Sequence, residues 1–191
     1  MLDFPPLQLA HDAELRLFQM SDAREYFQLI DANRTDLKTW LPWLNSSTSI
    51  QDTIDFIKHN KMRLDRNLGY GVAILWQGQI AGSIGYHDIN WLGRNVEIGY
   101  WLAPAFRGKG LMTQAVTAMT ENAFTKLELK QVEIRCATQN HASRAIPERL
   151  GFTQEGIIPQ SEWLYDHFVD LVVYGMLSEE WQTRHSGSYV R

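Results

Sequence analysis

Apolar residues along this chain fall into two rhythms, alternation and helical spacing. Glu14-Leu15-Arg16-Leu17-Phe18 alternates and predicts a strand. Ser21 can N-cap a helix that puts Ala23, Tyr26, Phe27 and Ile30 on one face and ends near Asn33. Leu37 to Leu44 is short, aromatic and broken by Pro42. Thr48-Ser49-Ile50-Gln51-Asp52 offers overlapping capping boxes, after which Ile50, Ile54, Ile57 and Leu64 form a helical stripe to about Arg66. Tyr70 to Trp76 and Ile80 to His87 read as strands around a Gln77-Gly78-Gln79 turn. Gly82 and Gly85 suggest a bend or a close backbone approach in the second of them. A turn over Asn90 to Asn95 leads into the apolar strand Val96 to Leu102. Leu111, Ala115 and Met119 then recur at helical spacing, followed by a strand over Gln131 to Ala137 with Val132, Ile134 and Cys136 on one face. Asn140 opens a helix that Gly151 closes at C′, and Pro147 inside it predicts a kink or a short helix. Glu162 to Asp166 and Phe168 to Met176 read as a hairpin turning near Asp166-His167. From about residue 184 a loose tail is expected, in a single domain over 1–191.

Between the strand ending at Leu102 and the helix starting near Leu111 lies Pro104-Ala105-Phe106-Arg107-Gly108-Lys109-Gly110. Two glycines at a helix entry let backbone N–H groups point outward around an anion, and the helix end adds its uncapped donors and dipole. Arg107 and Lys109 add two cations, so this turn predicts a phosphate cradle. It is not a P-loop, because Gly110 stands where Ser or Thr should follow the lysine. Nor is it a dinucleotide fingerprint, because Thr113 stands at the last glycine and Glu128 precedes the next strand instead of ending it. A nucleotide-dependent oxidoreductase is therefore disfavoured.

Composition narrows the classes further. With 191 residues and 45% hydrophobic content, the chain can bury a real core. A net charge of −4 argues against a nucleic-acid backbone binder and suits a cationic amine. A single cysteine excludes an internal disulfide framework and suits a reducing cytoplasm, which leaves the sequons at Asn33 and Asn45 without a role. No apolar run of about 18 residues exists to span a membrane, and the N-terminus has no signal-peptide pattern. The six histidines and the cysteine lack paired ligand spacing, so no metal site is expected.

The stretch Arg107 to Met112 resembles the acetyl-CoA-binding signature of the GNAT-type N-acetyltransferases, [QR]-x-x-G-x-[GA]. Arg107 and Gly110 match its first and fourth positions. Met112 replaces the last small residue, as in the bacterial ribosomal-protein N-terminal (alanine) acetyltransferase subgroup. Trp40-Leu41-Pro42-Trp43, Glu97 to Leu102, Asn140 with Ser143, and Leu150-Gly151-Phe152 followed by Glu155-Gly156 extend the resemblance over most of the chain. It implies an α/β GNAT fold: a mixed, mostly antiparallel sheet of about seven strands, splayed between the parallel strands 96–102 and 131–137, with about four flanking helices. It also implies acetyl-CoA as cosubstrate, held by backbone near Trp101, Leu102 and Ala103, by the turn Arg107, Gly108, Lys109, Gly110, Leu111, Met112 and Thr113, and by Asn140 and Ser143.

Four side chains are candidates for the chemistry, with their alternatives open. Glu162 occupies the position that looks like the proton acceptor of the subgroup; it also reads as a surface strand residue. Glu97 is the second candidate base, or a solvent-facing residue. Ser143 could protonate the leaving thiolate or cap the helix. Cys136 sits on the apolar face and reads first as core, second as a thiol near the thioester. Trp40 and Trp43 read as core aromatics or as walls of an acceptor cleft, with Tyr86 and Trp163 as further acceptor contacts. The implied reaction is direct acetyl transfer to a primary amine, a protein N-terminus before a polyamine or aminoglycoside. A non-catalytic acyl-CoA-binding module is the alternative on the same fold. No nucleic-acid or membrane partner is expected, and a homodimer stays open.

Overall fold

The computed structural model describes residues 2–10 and 12–185. Eight strands form one sheet in the order β1-β2-β3-β4-β5-β6-β8-β7. They are β1 (Leu7–Gln8), β2 (Ala13–Leu17), β3 (Tyr70–Trp76), β4 (Gln79–Tyr86), β5 (Asn95–Leu102), β6 (Gln131–Ala137), β7 (Thr153–Leu164) and β8 (His167–Leu177). Six α-helices flank it: α1 (Ala23–Ala32), α2 (Arg34–Lys38), α3 (Ile50–Asp65), α4 (Leu111–Thr125), α5 (His141–Leu150) and α6 (Ser178–His185). One strand and two helices thus exceed the expectation from sequence. β1 is two residues long, α2 is a five-residue helix, and α6 is too polar to show a stripe. Of the tail expected from about residue 184, residues 184 and 185 belong to α6 and the rest lies outside the described residues.

Local chemistry explains the elements that frame the site. Ser49 and Asp52 form a capping box at the start of α3, where the Asp52 carboxylate accepts from the backbone of Thr48 and Ser49. Those bonds hold the Asp52 carboxyl below the ordinary carboxylate range. The β3–β4 hairpin turns on Gln77 and Gly78, both at positive φ, as a two-residue turn matched to strand twist requires. A bulge between Ile74 and Leu75 shifts the register there. At Gly82 a Cβ would lie 2.2 Å from the Trp101 carbonyl, so only glycine lets β4 and β5 approach.

Two cores cover the two sheet faces. Ile84, Ile98, Met119, Val132, Tyr174 and Trp181 belong to the larger, between the sheet and α4 with α5 and α6. Tyr26, Ile30, Leu37, Leu44 and Trp101 form the smaller, under α1 and the turn Pro42–Ser46. All strand pairs are antiparallel except β5 with β6. That parallel pair holds only at Asn95, Val96 and Glu97 against Gln131, Val132 and Glu133. Beyond them the strands part, and the sheet opens between β5 and β6.

Candidate active site

The divergence of β5 from β6 opens a cleft of about 810 Å³ on the α1–α3 face. From Ile98 onward β5 has no partner on its β6 side. Across this gap lie three polar groups. Tyr100 donates to the carbonyl of Ser143 at 3.0 Å, and the Ser143 hydroxyl lies 3.4 Å from the Tyr100 oxygen and 3.2 Å from Cys136 Sγ. The helix itself brings Ser143 there. Asn140 Oδ1 accepts the Ser143 N–H at 3.1 Å and so caps α5, while Gly151 at φ 78° closes it. Burial pushes the Tyr100 hydroxyl and the Cys136 thiol above their usual ranges, which keeps both neutral at pH 7. Cys136 is 4% exposed, packed in the core, and also lines the cleft.

The opposite wall carries the carboxylates. Glu97 contacts His87 at 3.2 Å and Arg135 at 3.3 Å, and Arg135 also holds Glu133 at 2.9 Å. Glu97 is therefore committed to two partners. Glu162, on β7, is half-buried, and among the described residues no hydrogen bond or ion pair holds its carboxylate. Burial first, and then the charge of Glu97, raise its carboxyl above the ordinary range, with His87 opposing. A raised, unengaged carboxylate can accept a proton near neutrality.

The cradle follows β5. After the turn Pro104–Phe106, Gly108 and Gly110 both stand at φ 76°, and Gly110 is the N-cap of α4. No atom lies within 4 Å of a Cβ built at Gly108, so the backbone there is bare. The side chains of Leu111 and Met112 are buried, leaving their N–H groups as the exposed feature of the helix start. That is an arrangement into which a pyrophosphate fits. The cations are placed less directly. Arg107 is bound to Asp36 of α2, and Lys109 lies 4.7 Å over the Trp76 ring. Thr113 accepts from Arg149 at 2.9 Å. Trp101 and Leu102 are buried, Trp101 donating to Tyr26 at 3.2 Å, and Ala103 donates its N–H to the Ala81 carbonyl.

Among the expected acceptor contacts, Trp40 and Trp43 line the cleft, with Trp43 6.3 Å from Trp101. Tyr86 and Trp163 need correction. Tyr86 is 2% exposed and its hydroxyl donates at 2.5 Å to the Met119 carbonyl of α4, so the side chain belongs to the opposite core. Trp163 follows Glu162 on β7 and therefore faces the other way, edge-on against Phe168 at 4.8 Å. Sequence reasoning missed the side chains of Tyr100, His87, Arg135 and Asp36. Only Tyr100 left a signal, in the spacing of Ser143 and Pro147.

Comparison with known proteins agrees with this geometry. Residues 13–153 match the acetyltransferase (GNAT) domain family. YdaF of Bacillus subtilis is 35% identical over 169 residues, covering 88% of this chain and 92% of that protein. The ribosomal-protein-serine acetyltransferase of Escherichia coli is 29% identical over 171 residues, covering 90% and 96%. A solved structure of RimL, a ribosomal L7/L12 alpha-N-protein acetyltransferase in complex with coenzyme A as a cysteine disulfide, superposes with a TM-score of 0.88 at 27% identity, covering 92% and 99%. The chain belongs to the GNAT acetyltransferase family, and it is an enzyme of that class.

Proposed function

We propose that the protein transfers the acetyl group of acetyl-CoA to the N-terminal α-amino group of a protein, a ribosomal protein foremost. The observation that carries this is the opening of β5 from β6, with the Ser143 group on one wall and the free Glu162 carboxylate in the same cleft. The names of the E. coli relative and of RimL supply the ribosomal acceptor. Proton chemistry favours an N-terminus over a lysine. With pKa near ~8 against ~10.4, forming the neutral amine at pH 7 costs about 1.4 against about 4.6 kcal/mol. The lone cysteine as a free thiol suits a reducing cytoplasm.

In this reading the backbone of the Gly108–Gly110 turn and the start of α4 hold the pyrophosphate, and the edge of β5 holds the pantetheine chain. The amine attacks the thioester carbonyl directly, and a β5 backbone N–H meets the developing oxyanion. Glu162 takes the ammonium proton through a water. Ser143, placed by Tyr100 and Asn140, gives its proton to the departing CoA thiolate. Cys136, a neutral buried thiol, is the second donor and not a nucleophile. Glu162→Gln should lower kcat by ~10²-fold or more, in line with general-base contributions. The test is acetyl-CoA turnover on ribosomal-protein N-terminal peptides, polyamines and aminoglycosides. Turnover of polyamines or aminoglycosides with none on the peptides overturns the N-terminal reading. A labelled acetyl group trapped on Cys136 overturns direct transfer.

A further inference from the structure

The strand that carries Glu162 is irregular on both sides of it. Pairing of β7 with β8 runs from Ile158 opposite Leu171 directly to Glu162 opposite Val169. Pro159, Gln160 and Ser161 therefore stand opposite one residue, Asp170, as a bulge. A regular ladder would put Gln160 opposite Val169; the bulge puts Glu162 there. Gln160 sits at φ 48°, and its N–H donates to Asp170 Oδ1 at 2.8 Å.

On the other side is the hairpin tip. Asp166 donates its N–H to the Leu164 carbonyl at 2.6 Å, and Tyr165 between them sits at φ 61°. A three-residue turn with a left-handed centre is rare and strained, and a bulky aromatic suits it far less than glycine or asparagine. The turn alone gives no reason for a tyrosine. Its side chain does: the hydroxyl donates to the Leu41 carbonyl, and Lys38 Nζ lies 4.6 Å over the ring. Leu41 belongs to the Trp40–Trp43 wall of the cleft. Beyond that wall, Arg34 holds the carbonyls of Leu44 and Ser47 at 2.9 and 2.7 Å.

Glu162 thus lies between two non-glycine residues at positive φ. One is bonded by the Asp170 side chain, and the other bonds through its own. Strained backbone persists where its surroundings over-determine it, and it gathers at functional sites. The Glu162 carboxylate has no hydrogen bond of its own among the described residues, so the course of its backbone aims it.

We propose that Asp170 and Tyr165 are positioning residues for the proton acceptor, a reading that rests on Glu162 as the base. Asp170 holds the bulge that brings Glu162 opposite Val169. Tyr165 ties the end of the same strand to the aromatic wall, so the carboxylate and that wall keep one spacing. Neither residue lines the cleft itself.

The experiment is a pair of double-mutant cycles on the acceptor of the panel above that turns over fastest. Asp170→Ala and Tyr165→Phe should each lower kcat by about 5- to 20-fold, the scale of a misplaced catalytic group. Both should leave acetyl-CoA affinity by calorimetry unchanged. Asp170→Asn keeps an oxygen for the Gln160 N–H and should stay within about 3-fold of wild type. In a Glu162→Gln background, neither Asp170→Ala nor Tyr165→Phe should cost more than about 2-fold further, because they act through the group already removed. Losses that multiply in full in that background overturn the proposal while Glu162 stands as the base. So does an equal loss in Asp170→Ala and Asp170→Asn, or a wild-type rate in either Asp170→Ala or Tyr165→Phe. A Glu162→Gln protein as fast as wild type overturns the base and the positioning together.

Discussion

The hydroxyl of Tyr100 donates to the carbonyl of Ser143 at 3.0 Å, and Pro147, four residues on from Ser143, has no N–H to offer that carbonyl. The proline within α5 therefore frees an acceptor that strand β5 occupies. The bond fixes the tyrosine 3.4 Å from the Ser143 hydroxyl, so in the proposed mechanism Tyr100 is a positioning residue for Ser143.

Pro147→Ala restores a helical N–H that competes for the Ser143 carbonyl. Helix propensity then rises, by up to ~3 kcal/mol, and the packing lost with the buried proline ring offsets part of that gain. Transfer should nevertheless slow. Tyr100→Phe and Pro147→Ala should each lower kcat on the order of 10-fold, below the ~10²-fold of a lost general base. Thermal unfolding followed beside kcat separates the two effects. A Pro147→Ala protein that is more stable and equally fast would refute the positioning role of Tyr100.

Much of this frame was legible in the chain. The β3–β4 turn announced itself through Gly78, the entry to α4 through Gly108 and Gly110, and α5 through Asn140 and Gly151. β7 was read only from Glu162. Its earlier residues are almost all exposed and include Pro159, so no alternation marks them. Tyr86 was misplaced although it shares strand parity with Ile84, which faces α4; its partners Met119 and Asn122 lie more than 30 residues away. Glu97 comes from β5, Arg135 from β6 and His87 from the residue just after β4, and no spacing along one segment brings them together. Glu162 and Ser143 were singled out by family resemblance, not periodicity, and both line the cleft.

Arg107 and Asp36 give the second prediction. The guanidinium forks onto the Asp36 carboxylate, with Nη1 to Oδ1 at 3.0 Å, and its Nε donates to the Leu102 carbonyl at 3.2 Å. Its charge is thereby matched before any phosphate arrives, and anion affinity rests on the backbone. Arg107→Gln should weaken coenzyme A by less than about 10-fold, as for a partly exposed pair worth roughly 1 kcal/mol or less. Gly110→Val should act far more strongly. The position needs φ 76°, which costs a β-branched residue on the order of 1–3 kcal/mol, and its methyls crowd the anion. Calorimetry decides. Unchanged coenzyme A affinity in Gly110→Val would remove the cradle from this turn.

Glu162 sets the third prediction, through pH. Burial and the charge of Glu97 raise its carboxyl above the ordinary 4.5, while His87 lowers it. The base is the ionised form, so kcat/KM must fall as pH drops through the raised value. The acid limb of the profile should therefore lie above the range of an exposed glutamate. The neighbours then move the limb in opposite directions. Glu97→Gln removes the repelling charge and leaves His87 and Arg135 without their shared partner, so the limb shifts to lower pH. His87→Ala removes the opposing group and leaves Glu97 with less compensation, so the limb shifts to higher pH. Both variants should keep kcat near wild type on the plateau, because neither residue takes the proton. Profiles of kcat/KM from pH 5 to 9, with acetyl-CoA saturating, measure the shifts directly. If Glu97→Gln abolishes turnover while Glu162→Gln leaves it intact, with both proteins folded and binding acetyl-CoA, the base is Glu97. If both neighbour variants leave the limb where it stands, the titrating group is not Glu162.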